Sequence, residues 1–304
     1  MKTILKKTIF ISLILFLFAG SSFSQTDRAW WNSLSPEWKK VIQKQQFKGK
    51  DVTPTDEQLV EIAKMTFLEL SGNKTIKSLK PAANLTLLEI VRCNGSAIES
   101  LEGLEGLMNL KDLDCSDNDN ITSLLPISAS YNLERLNCGN TMVKSLSPLK
   151  DLKRLTYLDV HLATVLDLRV LKGLDNLTVL NVAENASLFS LEGVNFLPNL
   201  TELNLSDTRV ESLAPLETLK NLKILSFEKA PVKTLRPLQG LKTLEEINCS
   251  QTDIPSTSMD YLVGHVKIKM LRAKGIKITP NEITTATEAI MKKNPTATVI
   301  ISSK

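Results

Sequence analysis

Leucine returns along this chain with a regularity that ordinary globular sequences lack. The apolar residues that open each "L-x-L" pair are Leu68, Leu88, Leu113, Leu136, Leu158, Leu180, Leu203, Leu225, Ile247 and Leu271. Their intervals run from 20 to 25 residues and average about 22.6, a period of repeat architectures. Alternation with period two predicts a short strand, leucines on one side and the intervening residue on the other. Leucines then follow in steps of three, as in Leu235-x-Pro237-Leu238-x-x-Leu241-x-x-Leu244. That step suits a tight 3₁₀-like return, in which side chains at i and i+3 eclipse. One such coil cannot bury its leucines, whereas stacked coils share a core and build a parallel sheet. The pattern therefore predicts a solenoid that depends on neighbouring coils and capped ends.

The wording of the units is specific. Asn221-Leu222-x-x-Leu225-x-Phe227 leads to Val232-x-x-Leu235, and the preceding unit repeats it as Leu200-x-x-Leu203-x-Leu205 and Val210-x-x-Leu213-x-Pro215-Leu216. On these motifs the stretch from Leu68 to Leu271, about two thirds of the chain, resembles bacterial leucine-rich repeat proteins with 22-residue units, the internalin-like kind. The resemblance implies an α/β solenoid: a horseshoe with a concave parallel β-sheet, a 3₁₀ or irregular convex side, and helical N- and C-terminal caps. One position departs from the family pattern. The column five residues after each opener, commonly Asn, reads Asn73, Cys93, Asn118, Thr141, Ala163, Asn185, Thr208, Ala230 and Thr252. Where Asn is missing, the side-chain ladder to the backbone is expected to weaken or to pass to threonine hydroxyls. The coil from Val160 to Leu171 is the least regular of the middle repeats.

Both ends read as caps. Ser35-Pro36-Glu37 predicts a helix with a hydroxyl N-cap and proline in its first turn. Thr55-Asp56-Glu57-Gln58 is a capping-box pattern ahead of Leu59 and Ile62. Thr279-Pro280-Asn281-Glu282 opens a last helix that Asn294-Pro295 ends, and Thr298-Val299-Ile300-Ile301 reads as a final strand. The chain thus divides into a signal peptide (1–24), a helical N-terminal cap (25–64), a domain of about ten repeats (65–278) and a C-terminal cap of helix plus short strand (279–304). The signal reading rests on Lys2, Lys6 and Lys7, the apolar run from Ile9 to Gly20, and Ser22-Phe23-Ser24-Gln25, with a cut after Ser24. The run is shorter than the roughly 20 residues a bilayer span needs. The mature chain is expected to be exported, to periplasm, cell surface or medium, without a transmembrane segment.

Composition narrows the function. With 42 % hydrophobic and 23 % charged residues the chain can bury a core, which excludes wholesale disorder, collagen and a multi-span membrane protein. The formal charge of +4 depends on the signal lysines: removing three of 37 cations leaves 34 against 33 acids. Such a balance lacks the bulk positive field of nucleic-acid binders. Two histidines and four cysteines leave little material for a metal centre, and no cofactor is expected.

The outward residue of each pair reads Glu69, Glu89, Asp114, Asn137, Asp159, Asn181, Asn204, Ser226, Asn248 and Arg272. Between Asp114 and Asn181 acid alternates with amide, so that an amide can donate to the acid beside it. The flanking columns bring Tyr157, His161, Val179 and Ala183 together, a ring, an imidazole and apolar contacts on a polar face. The candidate ligand-binding residues are Tyr157, His161, Val179, Asp159, Asn181, Arg135, Glu202 and Ile224. A catalytic reading of Asp159, His161 and Ser116 fails on spacing, because Ser116 lies two strands away, roughly 9–10 Å against the ~3 Å that a nucleophile and base require. Lys267, Lys269, Arg272 and Lys274 form a candidate anion-binding group, with an exposed-edge role as the plain alternative. Cys115, Cys138 and Cys249 face the core and Cys93 takes the ladder position, which burial explains without redox chemistry. Cys115 and Cys138, stacked in adjacent repeats of an exported chain, leave a disulfide as the alternative, although parallel side chains in register do not readily meet its torsion. Trp30, Trp31 and Trp38 read as cap core. The Asn-x-Thr triplets Asn84-Leu85-Thr86 and Asn199-Leu200-Thr201 follow from the repeat wording.

These readings converge on a non-enzymatic, exported recognition or scaffold protein. Its partner is expected to be a macromolecule, a protein before a polysaccharide, bound on the concave face. A cell-surface adhesin for a host protein and a cell-envelope polysaccharide binder are the alternatives.

Overall fold

A computed structural model describes residues 27–303; the export signal expected at 1–24 lies outside the described residues. Eleven strands pair in chain order, all parallel, into one open sheet. They are β1 (Phe67–Glu69), β2 (Ile90–Arg92), β3 (Asp112–Asp114), β4 (Arg135–Asn137), β5 (Tyr157–Asp159), β6 (Val179–Asn181), β7 (Glu202–Asn204), β8 (Ile224–Ser226), β9 (Glu246–Asn248), β10 (Met270–Ile276) and β11 (Thr298–Ser303). Short 3₁₀ returns such as Ser147–Leu149, Ala214–Thr218 and Arg236–Leu238 carry the chain back on the convex side. Pro148, Pro215 and Pro237 stand in their first turns, where the missing N–H leaves nothing unsatisfied. The result is a leucine-rich repeat horseshoe, as the 22-residue wording implies.

The stacking corrects one register. Leu68 pairs with Val91, and Val91 with Leu113, so the second coil opens on Val91 rather than on Leu88. The uneven spacings of 20 and 25 become 23 and 22. Leu88 is fully buried, but it belongs to the approach to the strand, the place that Leu110 and Leu133 fill in the next two coils. The chance pair Leu88-x-Ile90 imitates the strand motif three residues early. In consequence Arg92, not Glu89, faces outward; Cys93 faces the core; and Ser96 enters the ladder column.

That ladder has two grades. Asn118 Nδ2 donates to the carbonyls of Cys93 (2.8 Å) in the preceding coil and Cys115 (3.0 Å) in its own, while Oδ1 accepts from Ile98 N (3.1 Å). Asn185 repeats this with Val160 (2.8 Å), Val182 (2.9 Å) and Val165 N (2.9 Å). Thr141, Thr208 and Thr252 each donate only to their own coil, at Cys138 (2.7 Å), Leu205 (2.7 Å) and Cys249 (2.8 Å). A hydroxyl has one proton where an amide has two plus an acceptor, so each hydroxyl makes a single tie, to its own coil at the threonines and to Leu70 O of the coil before at Ser96 (2.7 Å), while asparagine makes both. Each coil up to β9 leaves its strand through a left-handed residue: Gly72, Gly95, Asp117, Asn140, Leu162, Glu184, Asp207, Lys229 and Gln251; Gly275 takes the same conformation within β10, at its register shift against β11. Leu162, at φ 47°, is the costly member of that column, in the coil that departs most from the repeat wording.

The ends close the stack differently. α1 (Arg28–Ser33), α2 (Pro36–Gln46) and α3 (Asp56–Ala63) bury Trp30, Trp31 and Trp38 against the first coil. Trp38 Nε1 donates to Ser78 O at 3.1 Å and Trp30 Nε1 to Pro81 O at 3.3 Å, which fixes these rings as core. The side chain of Gln45 pairs with both backbone groups of Glu69, accepting from N (3.2 Å) and donating to O (3.3 Å), as a neighbouring strand would. The free edge of β1 is thereby blunted. At the other end α4 (Pro280–Met291) starts with a capping box between Thr279 and Glu282, and β11 pairs with β10. β10 is therefore interior, so its lysines do not protect an exposed edge.

Candidate functional site

Seven side chains interlock across β2 to β6 on the concave face. Arg92 grips the Asp112 carboxylate with both terminal nitrogens, one of them at 2.9 Å. Arg135, whose Nε stands 3.9 Å from the same carboxylate, lays its guanidinium over the Tyr157 ring at 4.1 Å. Tyr157 Oη donates to Asp159 Oδ2 at 3.3 Å. Asp159 also accepts from His161 Nδ1 (2.7 Å), His161 N (2.9 Å) and Asn181 Nδ2 (3.0 Å). The His161 ring lies against Gly139, where an added Cβ would stand 2.2 Å from Nδ1. Any other residue at 139 would displace the imidazole.

Electrostatics follow from this packing. Asp159 is only 8 % exposed and four donors surround it. The Tyr157 hydroxyl is pushed above its ordinary pKa, first by burial and then by the Asp159 charge. Ser116 Oγ donates to Asp114 Oδ1 (2.7 Å) and accepts from Asn137 Nδ2 (3.3 Å), so it is committed away from His161. Only part of the expected acid–amide exchange forms. Asn181 donates to Asp159, but Asn137 turns to Ser116. The commoner role of the outward column is local: Asp114, Asn137, Asp159, Asn181, Asn204 and Asn248 each accept from the backbone N–H two residues on, at 2.9–3.2 Å. This Asx-type bond explains the preference for Asp and Asn without any ligand.

Tyr157, Val179, Glu202 and Ile224 occupy one column on successive strands, with Asp159 and Asn181 in the next and Arg135 one strand away. The basic group does not gather in the same way. Arg272 and Lys274 project from the face of β10, while Lys267 and Lys269 line a depression with Lys293 and Pro295. Lys269 is bound to Glu245 and Lys277 to Asp253 (3.2 Å), both acids of the preceding coil. A stretch free of acids in sequence is thus partly neutralised by stacking.

Two residues escaped the sequence reading. Arg92 was hidden by the slipped register, which the 20–25 interval pair signals. Gly139 is silent in sequence because its role is the space it leaves. A depression of about 560 Å³ lies on the strand-entry rim between Thr156, Asn199 and Thr243. Its polar groups already serve the fold: Asn176, Asn199 and Asn221 donate to carbonyls of the coil before, at 2.8–2.9 Å. That second ladder is the structural origin of the Asn199-Leu200-Thr201 triplet.

No protein-family model and no curated protein matches the chain. Solved structures do. Internalin C2 of Listeria monocytogenes aligns at TM-score 0.58 and 24 % identity, over 63 % of this chain and 83 % of that one. A leucine-rich repeat protein of Leptospira interrogans aligns at 0.62 and 23 %, over 82 % and 57 %. The functional domain of internalin J from Listeria monocytogenes, which includes a cysteine ladder, aligns at 0.64 and 19 %, over 87 % and 58 %. The fold is that of internalin-like leucine-rich repeat proteins. In the present solenoid Cys93, Cys115 and Cys138 take the second core position of three consecutive coils, all buried free thiols. Burial pushes Cys93 up to about 12 and Cys115 well above the ordinary thiol value. No helix among the described residues is long and apolar enough to cross a membrane.

Proposed function

We propose that this chain is an exported, non-catalytic recognition protein that binds a protein partner on its concave sheet. The observation that carries the reading is the lock on Tyr157. Its hydroxyl is held by Asp159 and its face by Arg135, so a large amphipathic side chain stands half-exposed in one orientation. An aromatic ring and an arginine fixed before the partner arrives lose little entropy on binding, which is the physics of an interface anchor. His161 and Asn181 extend the anchor, and Val179 and Ile224 add apolar contact. The internalin-like fold supports the same reading by analogy, because its concave sheet offers a continuous surface for a partner.

Affinity capture with the purified chain from residue 25, followed by identification of what is retained, tests this. The expected result is a retained protein that Tyr157→Ala releases at a nearly unchanged melting temperature. Retention of carbohydrate alone, or capture indifferent to Tyr157→Ala, overturns the assignment.

A further inference from the structure

The residue ahead of each core position reads Val179, Glu202, Ile224, Glu246 and Met270 on β6 to β10, in direct register. Apolar and acidic side chains alternate at the strand spacing of about 4.7–4.9 Å. Ile224 is 36 % exposed, Glu246 exposed, and Val179 and Glu202 half-buried. Neither glutamate forms an ion pair among the described residues; Lys269, the cation that senses Glu246, is bonded to Glu245. Beside them Glu228 takes only an amide, Asn248 Nδ2 at 2.9 Å. Carboxylates without counter-ions, set between accessible apolar groups, select a partner that brings cations and apolar side chains in the same order. An anionic surface is repelled.

Spacing decides the partner's conformation. The two glutamates are two strands apart, about 9–10 Å. An extended peptide laid along the stack shows same-face side chains every ~6.6–6.8 Å and falls out of step after one contact. An α-helix places i and i+7 about 10.5 Å apart, with i+3 and i+4 on the same stripe between them. It can keep Lys or Arg over Glu202 and Glu246 while apolar residues meet Ile224 and its neighbours. Resting on the reading of the concave face as a protein-binding surface, we propose that its C-terminal half, from β6 to β9, docks a cationic amphipathic helix of the partner.

Three synthetic peptides of equal length probe this directly: one helical with Lys at a and Leu at d of each heptad, one of the same composition scrambled, and one with Glu replacing Lys. Fluorescence anisotropy with the intact protein is expected to show binding of the patterned peptide alone. The double variant Glu202→Gln/Glu246→Gln, its melting temperature unchanged, should weaken that binding by about tenfold, two modest ion pairs together. Added salt should weaken the wild type more than the variant. Equal binding of the scrambled or acidic peptide, or an indifferent double variant, overturns the proposal. Native-partner capture separates the two levels. Capture lost in Tyr157→Ala with no binding of the patterned peptide removes the helix and leaves the concave face as the protein-binding surface. Capture indifferent to both sets of substitutions removes the functional reading and the helix with it.

Discussion

The two halves of the concave sheet are built on the same backbone and spend their polar groups differently. From β2 to β5, Arg92 answers Asp112, and Asp159 gathers Tyr157, His161 and Asn181. From β6 to β9, Glu202 and Glu246 stand without ion pairs among the described residues and Asn204 and Asn248 serve their own turns. On the proposed reading, the first half orients a partner with side chains already fixed in place and the second selects it by charge.

The largest expected effect breaks the first half. Asp159→Ala strands four donors around a nearly buried site, and the loss should be about 2–3 kcal/mol by urea unfolding. Asp159→Asn keeps the acceptor oxygen without the charge and should recover part of it. A cost below about 0.5 kcal/mol for the alanine variant would show that the network is surface decoration.

Acid challenges the second half from beneath. His265 is fully buried, with Nε2 3.0 Å from Leu238 O and Nδ1 3.2 Å from Leu262 O. Burial, and after it Lys242, hold its pKa below the ordinary 6.5 although both carbonyls favour the charged ring. The unfolded chain therefore takes up the proton first. Stability that is complete above pH 6.5 should decline as pH falls through the depressed native value, by up to about 1.4 kcal/mol per pH unit. His265→Gln should flatten that slope in a pH series of urea midpoints. A wild-type slope that survives the substitution assigns the acid response to other groups.

How much of this was legible beforehand follows the physics of each feature. Period, 3₁₀ returns and the capping box at Thr55 are local, so leucine spacing and the Thr55-x-x-Gln58 wording suffice, whereas strand phase slipped where Leu88-x-Ile90 imitated the motif. The column containing Tyr157, Val179, Glu202 and Ile224 was legible because coils of nearly equal length add in register. What was not legible depends on contacts between coils or on absent atoms. Arg92 needed the correct opener, Glu245 beside Lys269 needed the stack, and Gly139 needed the position of a ring 22 residues away. Gln45 on the edge of β1 joins two elements that share no repeat wording.

A smaller effect sharpens the first half without breaking it. Tyr157 titrates above its usual range, chiefly through burial and secondly through Asp159. Asp159→Asn should bring its alkaline absorbance transition down toward the ordinary tyrosine value without reaching it, because burial remains. An unmoved transition would detach the hydroxyl from the carboxylate.

The smallest effect is the most discriminating. Glu202→Gln and Glu246→Gln remove charges that hold nothing inside the fold, so their unfolding free energies should lie within about 0.5 kcal/mol of wild type. A substitution that leaves the fold alone and costs affinity marks a group kept for a partner. If instead either glutamine variant destabilised the chain by the amount expected of Asp159→Ala, the acids of β7 and β9 would be structural. The two halves of the sheet would then differ only in which neighbours they use.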